Sequence, residues 1–359
     1  MLEPNRHPLN GTFELTGRCN LSCKMCLVRV DRKRMAELNL RERTGEEWID
    51  MARQAAAAGT LSLLLTGGEP MLRPDFAEIY SAISNMGFLV TLYTNATMVT
   101  SSVMDILRKN PPHKIGVTMY GASNETYAQL CNCPDGYDRF SAGMRQLMEL
   151  PSLLDTRTTI VQQNRDDLPA MRSWVAQTLG PKQVLHISRS VMSQIRGSVS
   201  NPRECRLDPA ENAELVYSWL FQLARQIRSG EVTLPQTHKK LKLHQYAIPD
   251  SGHYLFENCG AGLSSYTITW CGHMYACELL QEGYTEPFQS GFQTAWEHLP
   301  EQYPHSHATG ACASCKLVDL CEACPAMRLT ETGNWFGTPE YACAEAQKIY
   351  ETLNDIGVI

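Results

Sequence analysis

Residues 19–26 read Cys-Asn-Leu-Ser-Cys-Lys-Met-Cys, and this short segment constrains the chemistry of the chain more than any other. It follows the predicted strand Thr12–Thr16, so its three thiols stand on a loop between a predicted strand and a predicted helix. A four-iron cluster takes four ligands, and three cysteines therefore leave one iron open to an outside molecule. Zinc is the alternative, but a structural zinc site is normally closed by a fourth protein ligand. No such ligand lies nearby, since His7 precedes the strand.

Short apolar runs alternate with helical patterns from about residue 11 to residue 189, as expected for repeated βα units around a parallel sheet. Thr44 and Glu47 form a possible capping box for the first long helix, which Gly59 can end. Six strands favour a partial (β/α)6 TIM-like barrel, although closed barrels and open doubly wound sheets share this local pattern. The predicted strands are Thr12–Thr16, Leu61–Leu65, Phe88–Tyr93, Ile115–Met119, Thr158–Gln162 and Val184–Ser188.

The composition is that of an ordinary globular chain, with 43% hydrophobic and 19% charged residues. A formal net charge of -6 predicts no general attraction to nucleic acid or anionic lipid, and the basic run Lys239, Lys240, Lys242 is most simply a solvated face. The sequence shows neither a signal peptide nor a run of roughly 18 apolar residues. We therefore expect a cytoplasmic protein that binds neither nucleic acid nor membrane.

The length of 359 residues and the change of pattern along the chain predict more than one domain. We expect a partial barrel over residues 1–190, a helical bridge over residues 191–250 and a cysteine-rich domain over residues 251–359. Within the bridge, the pattern from Asp208 to Ser229 predicts one long amphipathic helix. Because reduced cytosolic proteins do not retain structural disulfides, the 14 cysteines indicate metal binding.

A second motif, Thr66-Gly67-Gly68-Glu69-Pro70, lies at the end of the second predicted strand. Together with the Cys-x3-Cys-x2-Cys spacing, it resembles the radical S-adenosylmethionine (SAM) superfamily over about residues 11–190. In that family the turn lines the SAM site and contacts the amino group of the methionine part of SAM. Glycine permits a close approach of backbone, and Glu69 suits an ammonium group.

The resemblance implies that the open iron binds the amino and carboxylate groups of SAM. One electron from the reduced cluster then cleaves SAM to methionine and a 5'-deoxyadenosyl radical, and the protein holds a substrate C–H bond against that radical. Residues at the carboxyl ends of the strands are expected to supply the other contacts. The expected cofactor-binding residues are Gly67, Gly68, Glu69, Pro70, Met25, Thr94, Asn95, Thr118, Gln162 and Asn164.

Two positions depart from the family pattern. The residue before the third cysteine is often aromatic in the superfamily and is Met25 here, whose adaptable side chain can still pack against adenine. The arginine that many relatives carry just after the fourth strand is not evident in residues 125–132. Arg139 or Arg189 is therefore expected to bind the SAM carboxylate.

The last eight cysteines follow the spacing Cys-x11-Cys-x5-Cys and then Cys-x2-Cys-x5-Cys-x2-Cys, with a final cysteine beyond. This resembles the SPASM domain, which carries two auxiliary four-iron clusters and is common in radical SAM enzymes that modify peptides or proteins. Relatives usually place three residues, not two, within the last pair. A pair of zinc ribbons is the alternative, since Cys-x2-Cys pairs serve zinc as well as iron. The resemblance assigns Cys259, Cys271, Cys277 and Cys324 to one auxiliary cluster, and Cys312, Cys315, Cys321 and Cys343 to the other.

Three further residues are candidates for catalysis. Glu278 follows Cys277 directly, at the position where sulfatase maturases of this architecture carry an Asp base, and it is either a general base or an acid that supports the site. Cys131 and Cys133 follow the fourth strand on the predicted active-site side. Either could return a hydrogen atom, as cysteines do in some radical SAM peptide epimerases, or simply pack as a small hydrophobe.

These features predict an enzyme that uses three four-iron clusters and SAM to cross-link, otherwise oxidise or epimerise a peptide, preferably a ribosomally made one. Because only 18 residues precede Cys19, we expect either a separate leader-peptide recognition protein or a substrate that needs no leader, together with a flavodoxin or ferredoxin type reductant. A sulfatase-type protein maturase and a small-molecule radical SAM oxidoreductase are the alternatives within this class. A non-catalytic iron-sulfur electron carrier is a further alternative that would leave the open three-cysteine site unexplained.

Overall fold

A computed structural model describes residues 6–188, 191–233, 259–304, 310–312 and 314–359. Two residue groups singled out in the sequence, Arg189 and the basic run at residues 239–242, lie outside this part of the chain. The described residues up to Cys205 and residues 259–303 make one compact unit, and the remainder makes a second. This division differs from the predicted boundaries, because a strand beyond residue 259 pairs with the first strand of the barrel.

The first unit is built on one curved sheet. Within the described residues the strand order is β6-β5-β4-β3-β2-β1-β7-β8, and every neighbouring pair is parallel except β7 with β8. The six parallel strands of the predicted partial barrel are confirmed, and β7 and β8 extend the sheet beyond β1. The strands are β1 (Asn10–Thr16), β2 (Ser62–Gly67), β3 (Leu89–Thr94), β4 (Lys114–Thr118), β5 (Leu153–Thr159), β6 (His186–Ser188), β7 (Ser265–Ile268) and β8 (Met274–Tyr275).

Helices cover the outer face of this sheet and supply the core. The predicted capping box is confirmed, since Thr44 and Glu47 satisfy each other's backbone N–H groups at the start of α2. Trp48 of α2 is fully buried against Phe13 of β1, with ring centroids 4.9 Å apart. The helices of this unit are α1 (Arg32–Glu37), α2 (Gly45–Ala57), α3 (Phe76–Ser84), α4 (Ser101–Lys109), α5 (Asn124–Cys131), α6 (Gly136–Leu147), α7 (Leu168–Thr178), α10 (Pro287–Ser290) and α11 (Phe292–Glu297).

The fifth strand and the added pair β7–β8 depart from the predictions. β5 begins at Leu153, five residues before the predicted Thr158, because its alternating Asp155 and Arg157 pair with polar groups inside the barrel and break the apolar run. Strands β7 and β8 are short and lie in the cysteine-rich segment, whereas all predicted strands end by Ser188.

The second unit is helical in its described part. The predicted long helix is interrupted at Tyr217, which separates α8 from α9. Ala213, Leu220 and Phe221 pack with Ile349 of α13, so these helices belong to the core of the second unit. Its helices are α8 (Pro209–Val216), α9 (Ser218–Ser229), α12 (Pro325–Thr332) and α13 (Glu340–Asp355). None of the described helices of the chain is long and apolar enough to span a membrane.

Candidate active site

A cavity of about 210 Å³ opens where the strands of the barrel end. Thr66, Thr94, Thr118 and Thr159 line it from the carboxyl ends of β2, β3, β4 and β5, respectively. The opposite wall is residues 19–29, named here the cluster loop. The lining residues are Cys19, Leu21, Cys23, Met25, Cys26, Arg29, Thr66, Gly67, Gly68, Tyr93, Thr94, Asn95, Thr118, Tyr120 and Thr159.

The glycine-rich turn packs directly on the backbone that leads into the cluster loop. A Cβ atom on Gly68 would lie 2.1 Å from the carbonyl oxygen of Arg18, and one on Gly67 would lie 2.3 Å from that of Thr16. Gly67 also has φ +137°, a conformation that side chains rarely adopt. The N–H of Gly68 donates to the Thr16 carbonyl at 2.7 Å, and the N–H of Glu69 donates to the Arg18 carbonyl at 2.9 Å. The two glycines therefore set the position of Cys19.

Glu69 is fully buried and does not line the cavity. Its carboxylate accepts the Thr94 hydroxyl at 3.0 Å, the Asn95 N–H at 2.9 Å and the Met71 N–H at 3.2 Å. Burial raises the pKa of Glu69 to about 7, although these three donors oppose the shift. The carboxylate thus ties the turn after β2 to the end of β3. Pro70 is buried beside it and also lies outside the cavity lining.

The environment of the three thiols fits metal ligation. The N–H of Leu21 donates to Cys19 Sγ at 3.4 Å, and all three cysteines are free of disulfides. Burial raises the pKa of Cys26 to about 11 and also raises the pKa of Cys19, so a metal must displace the protons. Among the described residues no three His, Cys, Asp or Glu side chains are arranged to share a single ion, whereas a cluster spaces its thiolates around four irons. Three thiols with one open position suit such a cluster.

Comparison with known families identifies this arrangement. Residues 13–175, from β1 to α7, match the family model described as the radical SAM superfamily. Residues 13–175 form a radical SAM domain. This domain therefore uses SAM and a four-iron cluster, for which Cys19, Cys23 and Cys26 are the expected ligands.

Relatives align with this chain well beyond the matched domain. The AdoMet-dependent heme synthase of Methanosarcina barkeri is 24% identical over 352 residues, which cover 92% of this chain and 94% of that protein. The mycofactocin maturase MftC of Mycolicibacterium smegmatis is 24% identical over 359 residues, covering 94% of this chain and 83% of the maturase. The cysteine-rich segment is thus part of a shared full-length arrangement.

The fold is also shared over nearly the whole chain with a solved structure. Streptococcus suis SuiB bound to its precursor peptide SuiA superimposes with a TM-score of 0.65 at 16% identity, covering 94% of this chain and 76% of SuiB. At this identity the likeness establishes the fold alone.

The predicted SAM-binding residues divide into those that line the cavity and those that do not. Met25, Thr94, Asn95 and Thr118 line it, as do Gly67 and Gly68. Asn164 is fully buried and instead donates to the carbonyls of Tyr120 and Thr159, both at 3.0 Å, so it joins the ends of two strands. Gln162 is exposed and its N–H donates to the Cys205 carbonyl at 2.9 Å.

Asn95 links the end of β3 to the cluster loop. Its Nδ2 donates to Asn20 Oδ1 at 3.0 Å and lies 3.7 Å from Cys19 Sγ, while its Oδ1 accepts the Thr97 N–H at 2.9 Å. Asn20 in turn donates to the Thr97 hydroxyl at 2.8 Å. This network holds a side-chain amide against a predicted cluster ligand, and hydrogen bonds to such sulfurs tune the potential of iron-sulfur clusters.

Several lining residues were missed in the sequence. Thr66 and Tyr93 alternate with buried apolar residues on their strands, and Thr159 alternates with the buried Thr156 and Thr158. All three line the cavity, a position that a period of two could have predicted. Tyr120 lies just beyond β4, and Arg29 lies three residues after Cys26, where no periodic pattern points inward. Arg139 donates to the Thr97 carbonyl at 3.3 Å and does not line the cavity.

Cys131 and Cys133 lie behind the cluster loop. Cys131 is fully buried and its thiol raises the pKa of Cys23, while its carbonyl accepts the Ser22 N–H at 2.9 Å. Cys133 is buried and its thiol donates to Asp135 at 3.4 Å. Neither thiol lines the cavity.

The C-terminal cysteines show the same kind of amide-to-sulfur contact. Backbone N–H groups lie 3.5 Å from Cys277 Sγ, 3.4 Å from Cys315 Sγ and 3.4 Å from Cys324 Sγ. In the first unit, Glu278 lies near Glu14, whose pKa is raised first by burial and further by the charge of Glu278. The two remaining C-terminal cysteines of that unit, Cys259 and Cys271, are exposed and buried, respectively.

Proposed function

We propose that this enzyme modifies a ribosomally made peptide by abstracting a hydrogen atom from it. The observation that carries the proposal is a thiol-walled cavity at the carboxyl ends of the strands, in a fold that SuiB, solved with its precursor peptide, shares across 94% of this chain. The full-length alignment with a mycofactocin maturase supports the same substrate class.

The residues of the chain act by positioning. When bound, the cluster and SAM supply a 5'-deoxyadenosyl radical that removes hydrogen from the substrate. Glu69 holds Thr94 and Asn95 at one side of the cavity, and the hydroxyls of Thr118 and Thr159 face it from neighbouring strands. We propose that these groups orient SAM. Fixed donors of this kind lower the barrier by holding reactants close and excluding water.

Three clusters are proposed, with the two auxiliary ligand sets as assigned above. Within the second unit, Cys312, Cys315, Cys321 and Cys343 influence one another electrostatically. Burial raises the pKa of Cys343, and the nearby thiols of Cys321, Cys312 and Cys315 raise it further. Four thiols grouped in one small unit support a closed site.

An oxidative cross-link is favoured over epimerisation. Epimerisation needs a hydrogen donor beside the substrate radical, and the candidate donors Cys131 and Cys133 do not line the cavity. Auxiliary clusters, by contrast, suit the removal of a second electron. Glu278 is proposed as the base that accepts the released proton, supported by its place directly after Cys277.

The test combines SAM turnover with mass spectrometry of a candidate precursor peptide encoded beside this gene. Cross-linking removes two hydrogen atoms from the peptide, whereas epimerisation leaves its mass unchanged in water and adds one solvent deuteron in heavy water. Formation of 5'-deoxyadenosine that depends on the peptide supports the proposal. Turnover that no such peptide stimulates counts against it.

Metal analysis tests the cluster number. Anaerobically purified enzyme should contain about 12 iron atoms per chain, and about 8 after Cys19, Cys23 and Cys26 are all changed to Ala. Zinc in the C-terminal sites, with about 4 iron atoms in total, would contradict the auxiliary clusters.

A second candidate substrate is an iron porphyrin. The observation that favours it is the alignment with an AdoMet-dependent heme synthase over 94% of that protein's length. Incubation with an iron porphyrin under reducing conditions, followed by the same assay for 5'-deoxyadenosine, separates this candidate from the peptide.

Partners and location complete the proposal. We propose a flavodoxin or ferredoxin type reductant, since the cluster must be reduced before SAM is cleaved, and a separate protein that recognises the leader peptide. Fourteen cysteines without a disulfide support a cytoplasmic location.

A further inference from the structure

Among the described residues that line the cavity, Arg29 has the single cationic side chain. Its Nε is buried and has no hydrogen-bond partner within the described residues. The side chain as a whole is half-buried and lines the cavity, so an anionic group that enters the cavity meets its positive charge. A guanidinium forms strong charge-assisted hydrogen bonds with such a group.

The backbone of Arg29 is fixed against its surroundings. Its carbonyl accepts the Val199 N–H at 3.0 Å, and the neighbouring Leu27 carbonyl accepts the Ile195 N–H at 3.0 Å. The guanidinium lies near Cys23 and Cys26, whose thiol pKa values it lowers against the opposing effect of burial. It therefore stands on the side of the cavity formed by these two thiols.

The charges of SAM decide which group Arg29 can bind. SAM carries a positive sulfonium, a positive ammonium and one negative carboxylate, and its ribose and adenine are neutral. A guanidinium repels the first two groups and pairs with the carboxylate through charge-assisted hydrogen bonds. We propose that Arg29 binds the methionine carboxylate of SAM, an inference that rests on the assignment of SAM to this cavity.

This assignment differs from the two sequence-based candidates for the same role, Arg139 and Arg189, of which Arg189 lies outside the described residues. Arg139 donates to the carbonyl of Thr97 and lies within 3.9 Å of Asp135, so its charge is directed away from the cavity. Arg29 reaches the carboxylate from the cluster loop itself, whereas the family pattern places an arginine after the fourth strand. One loop thus supplies both the iron ligands and the anchor for SAM.

The experiment compares SAM with decarboxylated SAM, which keeps both positive charges and lacks the carboxylate. Binding is measured by anaerobic calorimetry on full-length enzyme with its clusters oxidised, so that SAM is not cleaved. Arg29→Gln should weaken SAM binding by about 10- to 100-fold, the range expected for a charged hydrogen bond. Binding of decarboxylated SAM should be unchanged. Arg53→Gln, an exposed arginine of α2, is the matched control and should alter neither.

The outcomes separate the possible roles of Arg29. If Arg29→Gln weakens the binding of SAM and of decarboxylated SAM equally, the arginine supports the cluster or the cluster loop, and the proposal fails. It fails too if SAM binding is unchanged, or if only Arg139→Gln weakens SAM selectively. If the Arg29→Gln variant loses iron, the Arg29→Lys variant is used instead. Lysine keeps the positive charge but lacks the planar fork of arginine, so binding of SAM should still weaken while binding of decarboxylated SAM does not. Wild-type enzyme that holds its clusters and binds no SAM would instead overturn the proposed function.

Discussion

The cysteines of the cluster loop and those of the second unit are held in different ways. The cluster loop follows a strand of the large sheet, and two glycines lock its backbone against the turn after β2. In the second unit, Cys312 and Cys321 lie at the ends of single 3-10 turns, and Cys343 lies on α13. The first site is built by the fold before any metal binds. The second lies in the smaller of the two units, where we expect metal ligation to contribute to folding itself.

The largest effect that tests this contrast is on thermal unfolding. Changing Cys312, Cys315, Cys321 and Cys343 to Ala should remove the unfolding transition of the second unit, whereas changing Cys19, Cys23 and Cys26 to Ala should leave the transition of the first unit nearly unchanged. For a unit of about 100 residues, each kcal/mol lost lowers Tm by roughly 4–8 °C. Calorimetry of both variants measures the two unfolding transitions. If both variants lose their transition to the same extent, metal ligation matters equally for the folding of the two units.

A smaller effect is expected at the glycine-rich turn. Gly68→Ala places a Cβ atom 2.1 Å from a backbone oxygen that cannot move without shifting Cys19, so it should cost about 3 kcal/mol or more and lower iron content. Gly59→Ala is the control, since Gly59 has φ +98° with nothing within 4 Å, and it should cost about 1 kcal/mol with full iron content. Denaturant unfolding with iron analysis distinguishes them. If the two variants lose similar amounts of stability and iron, the close contact between Gly68 and the Arg18 carbonyl is unimportant.

The raised pKa of Glu69 predicts that the free energy of unfolding depends on pH. Its carboxyl keeps a proton up to about pH 7 in the folded protein and loses it near the ordinary value of 4.5 when unfolded. This protonated group therefore stabilises the fold below pH 4.5, and its contribution is lost as pH rises from 4.5 to about 7. Glu69→Gln should flatten the slope of unfolding free energy in that window.

Glu47→Gln is the matched control for this window. Arg41 lowers the pKa of Glu47 to about 2, so its contribution changes below pH 4.5 and the slope above that value should persist. Urea unfolding at several pH values measures both. If the slope of unfolding free energy against pH is unchanged in the Glu69→Gln variant, groups other than Glu69 cause it.

The smallest effect concerns the outer side of the cluster loop. The hydroxyls of Ser198 and Ser200 donate to the carbonyls of Cys26 at 3.2 Å and Cys23 at 3.1 Å. Ser198→Ala or Ser200→Ala should each cost about 1 kcal/mol, with faster loss of iron in air. Ser102→Ala, at an exposed position of α4, should cost less than about 0.5 kcal/mol. Unfolding and iron-release rates that match this control would mean that the two hydroxyls do not hold the loop.

The sequence predicted the features that local chemistry dictates. The thiol spacing, the Gly67-Gly68 turn and the capping box at Thr44 each depend on residues close together in the chain, and the alternation of strands and helices gave the barrel. The start of β5 was missed because Asp155 and Arg157 satisfy each other inside the barrel, so a buried strand there is not apolar.

Long-range placement could not be predicted in the same way. The pairing of β7 with β1 joins residues about 255 positions apart, and nothing in either segment specifies that partner. Arg29 was missed because its inward direction depends on the bend of the cluster loop, not on a repeating pattern. Glu69 was expected to face an ammonium group, but its carboxylate oxygens accept hydrogen bonds from Thr94, Asn95 and Met71.

The added strands β7 and β8 have a consequence for solubility. An open sheet presents unpaired backbone groups at both edges, and long exposed edges promote pairing between molecules. Here the described sheet ends in β6, which has three residues, and in β8, which has two. Thr285 also pairs with Met274 of β8 in an antiparallel bridge, so the described part of this edge offers few free backbone groups to another strand.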